Sequence, residues 1–287
     1  MNVLTTKDRA NILSMLVEGN SVNATCRITG VSKNTVLKLL SHVGRACIAY
    51  CDRVMVNLNC KKIQCDEIWA FVGMKQKNVP DKLKGTFGYG DVYTWTAIDT
   101  DTKLMPCWNV GTRGAESAYY FIHDLASRLA NRVQLTTDGH SAYVVAVEDA
   151  FGADVDFAQL VKIYGTQGQT KEDHRRYSPA ECTGAEKRPR IGNPNMKDIS
   201  TNYVERANLT MRMGMRRFTR LTNGFSKKVE NHMHAVSLHF MHYNFCRIHA
   251  SIRVTPAMEA KLDDHVWSME EVVMMADTQR VTDKSSK

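Results

Sequence analysis

Near the N-terminus apolar residues recur at helical spacing. From Lys7 to about Glu18 the residues Ile12, Leu13, Leu16 and Val17 form one stripe, which predicts a helix. Gly19-Asn20 interrupts it, and Ser21 is placed to cap a second short helix carrying Ala24 and Ile28. Gly30 supplies a turn. Ser32 then caps a third helix, SKNTVLKLLSHVGRA, with Val36, Leu39 and Leu40 turned inward and Lys33, Asn34, Thr35 and Lys38 outward.

Further on the pattern changes. Residues 62–73 read as a β-strand, VYTWTAID (92–99) as a second, and Thr100-Asp101 as a hairpin turn into KLMPCWNVG (103–111). GAESAYYFIHDLASRLAN returns to helical spacing, with Ala118, Phe121, Ile122, Leu125 and Leu129 on one face. RVQLTTD is a strand, SAYVVAVEDAFG a helix and FAQLVKIYG a strand again. Three strands followed by helix, strand, helix and strand give the order of a ribonuclease H-like α/β fold. Residues 165–200 are polar and rich in Gly and Pro, and predict a long insertion. The stretch after about Asp277 predicts a frayed tail. The expected organisation is a small all-α unit over 1–60, an α/β domain over 61–262 with its insertion at 165–200, and a tail over 263–287.

Composition narrows the function. Hydrophobic residues at 43% and charged residues at 24% are ordinary for a soluble globular protein, while a net charge of +8 favours an acidic partner such as nucleic acid. Eight cysteines (Cys26, Cys47, Cys51, Cys60, Cys65, Cys107, Cys182 and Cys246) make no CxxC pair, and most lie in apolar segments, so reduced, buried thiols in a cytoplasmic protein are expected. No signal peptide is recognisable, and no run approaches the roughly 18 apolar residues of a membrane span.

Three carboxylates carry the candidate chemistry. Asp66 lies within the first strand, Asp138 ends the strand that feeds a helix, and Glu205 opens the basic segment STNYVERANLTMRMGMRRF. Acids gathered outside the carboxyl ends of strands repel one another unless a cation neutralises them, and two Mg²⁺ ions held so serve phosphoryl transfer. Each acid also has a plainer role open to it. Alternation sends Asp66 and Glu67 to opposite faces without choosing between them, Asp138-Gly139 is a turn dipeptide, and Asn202 with Glu205 fits a capping box. Asp99 and Asp101 fit turn chemistry better. Arg206, Arg212, Arg216, Arg217 and Arg220 follow Glu205, with Arg212 and Arg216 predicted on its helical face, where guanidiniums hold phosphates.

Five of the ten histidines, His232, His234, His239, His242 and His249, cluster later without an HExxH pattern. Packing and phosphate contact are the expected roles there, and no zinc is expected. In the N-terminal unit, short polar residues open the outer helix of a helix-turn-helix. Ser32, Lys33, Asn34, Thr35 and Lys38 are therefore the candidate DNA readers.

The stretches CDEIWAFVG, TDGHSAY and YVERANLTMRMGMRRFTRLTNGFSKKVENH resemble the insertion-sequence-one family of DDE transposases, and RITGVSKNTVLKLLSHVGRA is similar to that family's helix-turn-helix. The resemblance implies that Asp66, rather than Glu67, joins Asp138 and Glu205 as catalytic and metal-holding acids, with two Mg²⁺ ions and Mn²⁺ as a substitute. It implies water-driven cleavage at the ends of a mobile element, attack of the freed 3′-hydroxyl on target DNA, and at least a dimer on double-stranded DNA in a prokaryotic nucleoid. The chain departs from the family where members often carry a cysteine zinc-binding segment ahead of the helix-turn-helix, and in its longer 165–200 insertion. Two rival functions are a domesticated, non-catalytic DNA-binding protein and another ribonuclease H-like nuclease such as a junction resolvase.

Overall fold

The alternating segments assemble into one mixed sheet. The computed structural model describes residues 4–164, 182–219 and 222–285. Its strands are β1 (Lys62–Val72), β2 (Gly90–Asp99), β3 (Trp108–Gly111), β4 (Val133–Asp138), β5 (Val155–Tyr164) and β6 (Cys182–Ile191), side by side in the order β3-β2-β1-β4-β5-β6. β2 runs antiparallel to β1 and β3 on either side of it, β4 and β5 run parallel to β1, and β6 returns antiparallel to β5. The helices are α1 (Thr6–Val17), α2 (Val22–Thr29), α3 (Lys33–Val54), α4 (Ala115–Arg128), α5 (Ala142–Phe151), α6 (Asn202–Gly214), α7 (Val229–Met241), α8 (Pro256–Glu259) and α9 (Met269–Ser285).

The period of two along β1 and β2 divides the core. Ile63, Cys65, Trp95 and Ala97 face the side that α4 and α5 cover with Phe121, Ile122, Leu125, Tyr143 and Val147. Ile68, Ala70, Val72 and Val92 face the other side, where α6 and α7 supply Val204, Met211, Val236 and Phe240. Asp99 closes the β2 turn as its position predicts, accepting from the Thr102 amide at 3.0 Å and its hydroxyl at 2.6 Å. Lys103 beyond it takes a left-handed φ of 63°, and the following strand is shorter than its apolar run, starting only at Trp108. Cys47, Cys51, Cys60, Cys65 and Cys107 are buried free thiols.

The α1–α2–α3 segment begins as the sequence predicts. Ser21 and Ser32 accept from the amides of Ala24 and Thr35, and Gly30 takes the left-handed φ of 70° that ends α2. Two features differ from expectation. α3 runs on to Val54, because Cys47 and Cys51 continue its buried stripe. The segment also does not own a separate core over 1–60. Leu13, Val36, Leu40 and Val43 belong to the same buried cluster as the sheet and as Leu238 and Met241 of α7. Gly44 makes this possible: a Cβ there would lie 2.5 Å from that of His234, so α3 and α7 meet backbone to backbone.

Two further expectations are corrected. Part of the predicted insertion, Cys182–Ile191, is strand β6, while residues 165–181 lie outside the described residues. β6 is an edge strand exposed along almost its whole length, so it has no apolar alternation to betray it, and Pro189 sits at a register shift that spares the ladder. The predicted tail over 263–287 contains α9, which buries Val272, Val273 and Ala276 against α1 and α3. Arg9 of α1 holds Asp277 at 2.8 Å, so the helix is anchored up to the point beyond which fraying was expected.

Candidate active site

Strand register alone brings two acids together. β1 lies parallel to β4 with Lys62 beside Gln134 and, further on, Cys65 beside Thr137. One step along the same register stand Asp66 and Asp138, at the carboxyl end of β4. Asp66 points to the α6 side of the sheet. Asn208 of α6 donates to its Oδ2 at 2.9 Å, and the Thr96 hydroxyl, across the ladder on β2, lies 3.1 Å from both the Asn208 side-chain oxygen and the Asp66 carbonyl. Asp138 accepts from the His140 amide at 2.9 Å, while Gln159 holds its carbonyl at 3.0 Å.

Glu67 departs from the expectation that one of the adjacent acids would be a bystander. It faces the opposite side of the sheet from Asp66, yet an oxygen from each of Asp66, Glu67 and Asp138 falls within one group 4.8 Å across. Asp138 sits at the end of its strand, where the two faces of the sheet meet. The Glu67 side chain is only 2% exposed; Arg113 Nε lies 3.5 Å from its Oε2, and its Oε1 has no hydrogen-bond partner among the described residues.

β1 also positions the third acid. Gln64, on the same face as Asp66, accepts the amides of Tyr203 at 2.9 Å and Val204 at 3.2 Å, capping the start of α6. Glu205 is therefore not in the predicted capping box. Its Oε1 accepts from Lys162 Nζ and from the Thr201 hydroxyl, each at 2.5 Å. Asp66, Asp138 and Glu205 line one open basin of about 420 Å³ with Arg113, His140 and Lys162.

The crowding has electrostatic consequences. Burial, then the charge of Asp138, pushes the Asp66 carboxyl up to about 6 against the opposing Asn208 hydrogen bond. The same two causes, in the same order, push Glu67 up to about 7. Burial draws Lys162 down, but the Glu205 carboxylate more than offsets this and leaves it raised. Such a basin disfavours its own negative charge and suits a bound cation.

The expected DNA-contacting residues divide between places. Ser32, Lys33, Asn34, Thr35 and Lys38 are exposed at the start of α3, although the Ser32 and Thr35 hydroxyls lie 2.9 Å apart and engage each other. Arg206 is exposed on α6 and Arg212 half-buried on it. Arg216 does not share the face of Glu205, because α6 ends at Gly214 and Arg216 opens a separate short turn. Arg217 is sunk inward, donating to Ser226 at 2.8 Å, with burial lowering its guanidinium to about 10. Arg220 lies outside the described residues. His232 and His239 are buried, and burial pulls both imidazoles down to about 3, so they are neutral packing groups.

Sequence reasoning missed Gln64, Asn208, Lys162 and Arg113. Gln64 lies two residues before Asp66 on its strand face and Asn208 one helical turn after Glu205, so spacing contained both signals. Lys162 and Arg113 come from distant segments and left none.

No protein-family model matches the sequence, and no curated protein matches it. Among solved structures the chain is similar to a piggyBac transposase synaptic complex with hairpin DNA, at 12% identity and a TM-score of 0.40, over 100% of this chain and 75% of that one. It is also similar to the Mos1 strand transfer complex, at 13% identity and a TM-score of 0.23, over 54% of this chain and 59% of that one. A pre-cleavage Mos1 transpososome matches at 11% identity and a TM-score of 0.21, over 55% of this chain and 60% of that one. Likeness at this level does not assign the chain to a family.

Proposed function

We propose that this protein is a metal-dependent DNA transposase of the DDE type, which cleaves the ends of a mobile element and joins the 3′ ends to target DNA. The observation that carries this reading is the convergence of Asp66, Asp138 and Glu205 on one basin from two adjacent parallel strands and the helix capped by Gln64. The strand order, three antiparallel strands continued by two parallel ones, is the order expected of a ribonuclease H-like core. The α2–α3 pair, with its exposed polar start, supports a helix-turn-helix DNA reader.

The donor set fits Mg²⁺. The ligands are carboxylate oxygens, they are drawn together by register, and burial and the Asp138 charge leave Asp66 and Glu67 raised even with Asn208 and Arg113 beside them. Asp66 and Asp138 would hold the ion, with Glu67 or Glu205 completing the set. When bound there, Mg²⁺ supplies Lewis-acid stabilisation of the phosphate and activation of the attacking oxygen. Asn208 keeps the Asp66 carboxylate turned toward the basin, and Arg113 and Lys162 offer positive charge to a phosphodiester entering it.

The test uses labelled DNA from both flanks of the gene with the purified protein and Mg²⁺. Metal-dependent 3′-end cleavage and joining is expected, falling by a factor of about 10² or more in Asp138→Asn and in Glu205→Gln. A second reading, a non-catalytic DNA-binding protein, is favoured by one observation: Glu205 is tied to Lys162 rather than grouped with the other acids. Specific binding without cleavage in Mg²⁺ or Mn²⁺ would decide for that alternative.

A further inference from the structure

A second cavity, of about 240 Å³, lies away from the acids, where the α1–α2–α3 segment meets the chain between α6 and α7. The α1–α2 turn closes one end: a Cβ on Gly19 would lie 3.1 Å from the Met213 carbonyl oxygen. Leu16, Val22, Leu37 and Leu238 give the cavity an apolar floor. Its polar lining is one-sided. Lys33, Arg216, Arg217, Lys227 and Lys228 line it, and among the described residues no aspartate or glutamate does.

Two buried polar groups in the lining are unspent. Arg217 Nη2 and His239 Nδ1 have no hydrogen-bond partner among the described residues. Lys33 and Lys227 come from distant parts of the sequence and stand close enough that, after partial burial, the charge of Lys33 further lowers the Lys227 ammonium. Like charges brought together beside a guanidinium with one nitrogen still unpaired among the described residues are stabilised by an anion. The volume is below the roughly 300–1,000 Å³ typical of sites for drug-sized ligands, which limits the occupant to about one ring system with its charged group at the mouth. Asn23 and Asn231 add amides of the kind that hydrogen-bond base edges.

We propose that this cavity receives one unstacked nucleotide of DNA, its base against the Leu16–Leu37–Leu238 floor and its phosphate among Lys33, Arg216 and Lys227. Proteins that hold a base outside the helix use this combination of apolar walls, edge hydrogen bonds and phosphate-binding cations. The source of the nucleotide rests on the DNA-processing reading above; the anion-binding cavity does not.

The experiment measures fluorescence anisotropy of the full-length protein in EDTA with two labelled duplexes, identical except for a single unpaired adenosine in one. The bulged duplex is expected to bind about tenfold tighter. Ala235→Phe, which fills the floor, should cut that preference to under about twofold while paired-duplex affinity is kept, and Lys227→Gln, which removes rim charge, should weaken both duplexes and cut the preference likewise. Equal binding of the two duplexes by wild type overturns the proposal, as does a preference that survives in both variants with unchanged melting temperatures. If neither duplex binds, the DNA reading fails, and calorimetry with deoxyadenosine 5′-monophosphate decides the cavity. Binding abolished by Ala235→Phe makes it a site for a free nucleotide, and no binding overturns it.

Discussion

Asp66 and Glu67 are each held as weaker acids than in the unfolded chain, and for the same cause: they are buried, and Asp138 is beside them. The sign follows by linkage. A carboxyl whose folded pKa is raised keeps its proton in the folded state after the unfolded chain has lost it. The metal-free protein therefore loses stability as pH rises from the ordinary carboxylate range through about 6 to 7. A divalent cation competes with those protons, so its affinity rises over the same window. Thermal melts with and without Mg²⁺ should show almost no stabilisation at pH 5 and full stabilisation at pH 8. Asp138→Asn removes the like charge but leaves burial, the larger cause, in place, so it should reduce the pH dependence of the metal-free protein without abolishing it. A Mg²⁺ shift that does not vary with pH would mean that these carboxyls are not its ligands. Asp66 and Asp138 were legible in the sequence because each is an acid in or ending a strand-like run. That Glu67 joins them was not, since alternation assigns it to the far face and only the position of Asp138 at a strand end lets both faces reach it.

At the scale of elements, the joint between β1 and α6 governs the site. Gln64 is a strand residue serving as a helix cap, and through it the strand bearing Asp66 fixes where Glu205 and Asn208 begin their helix. Gln64→Leu keeps the volume and removes the acceptor, leaving two amides at the start of α6 without it. A loss of about 1–3 kcal/mol in denaturant unfolding is expected. DNA cleavage should fall by more than that stability loss explains, because Glu205 and Asn208 shift with the helix. Cleavage that stays at the wild-type rate would separate the cap from the site. Helices and central strands were legible from period, since Ile63, Cys65, Trp95 and Ala97 alternate and Phe121, Ile122 and Leu125 recur. β6 was not, because an exposed edge strand has no buried face to impose a pattern.

At the scale of the molecule, the sequence divides where the structure does not. Turn signals near Gly19 and Gly30 mark helix ends correctly, but an α-helical segment with its own capping residues looks the same whether it packs on itself or on a distant part of the chain. Here α3 lies on α7 across Gly44, and α1 and α3 both lie on α9. Deleting residues 263–285 would uncover the surface that Val272, Val273 and Ala276 bury. At about 1.5–3 kcal/mol for each valine, the two together reach only the lower end of the roughly 5–15 kcal/mol that holds a whole domain folded. The truncated protein is expected to show a lowered helical signal and rapid proteolysis within residues 4–54. A melting temperature equal to the full chain's would show that the N-terminal helices stand alone.

That contact between the earliest helices and the last one also sets a timetable. During synthesis α1 and α3 are made well before α9, the helix that covers them. The N-terminal helices therefore reach their final packing only once α9 has been made, and until then the apolar surface that Val272, Val273 and Ala276 cover stays open to water.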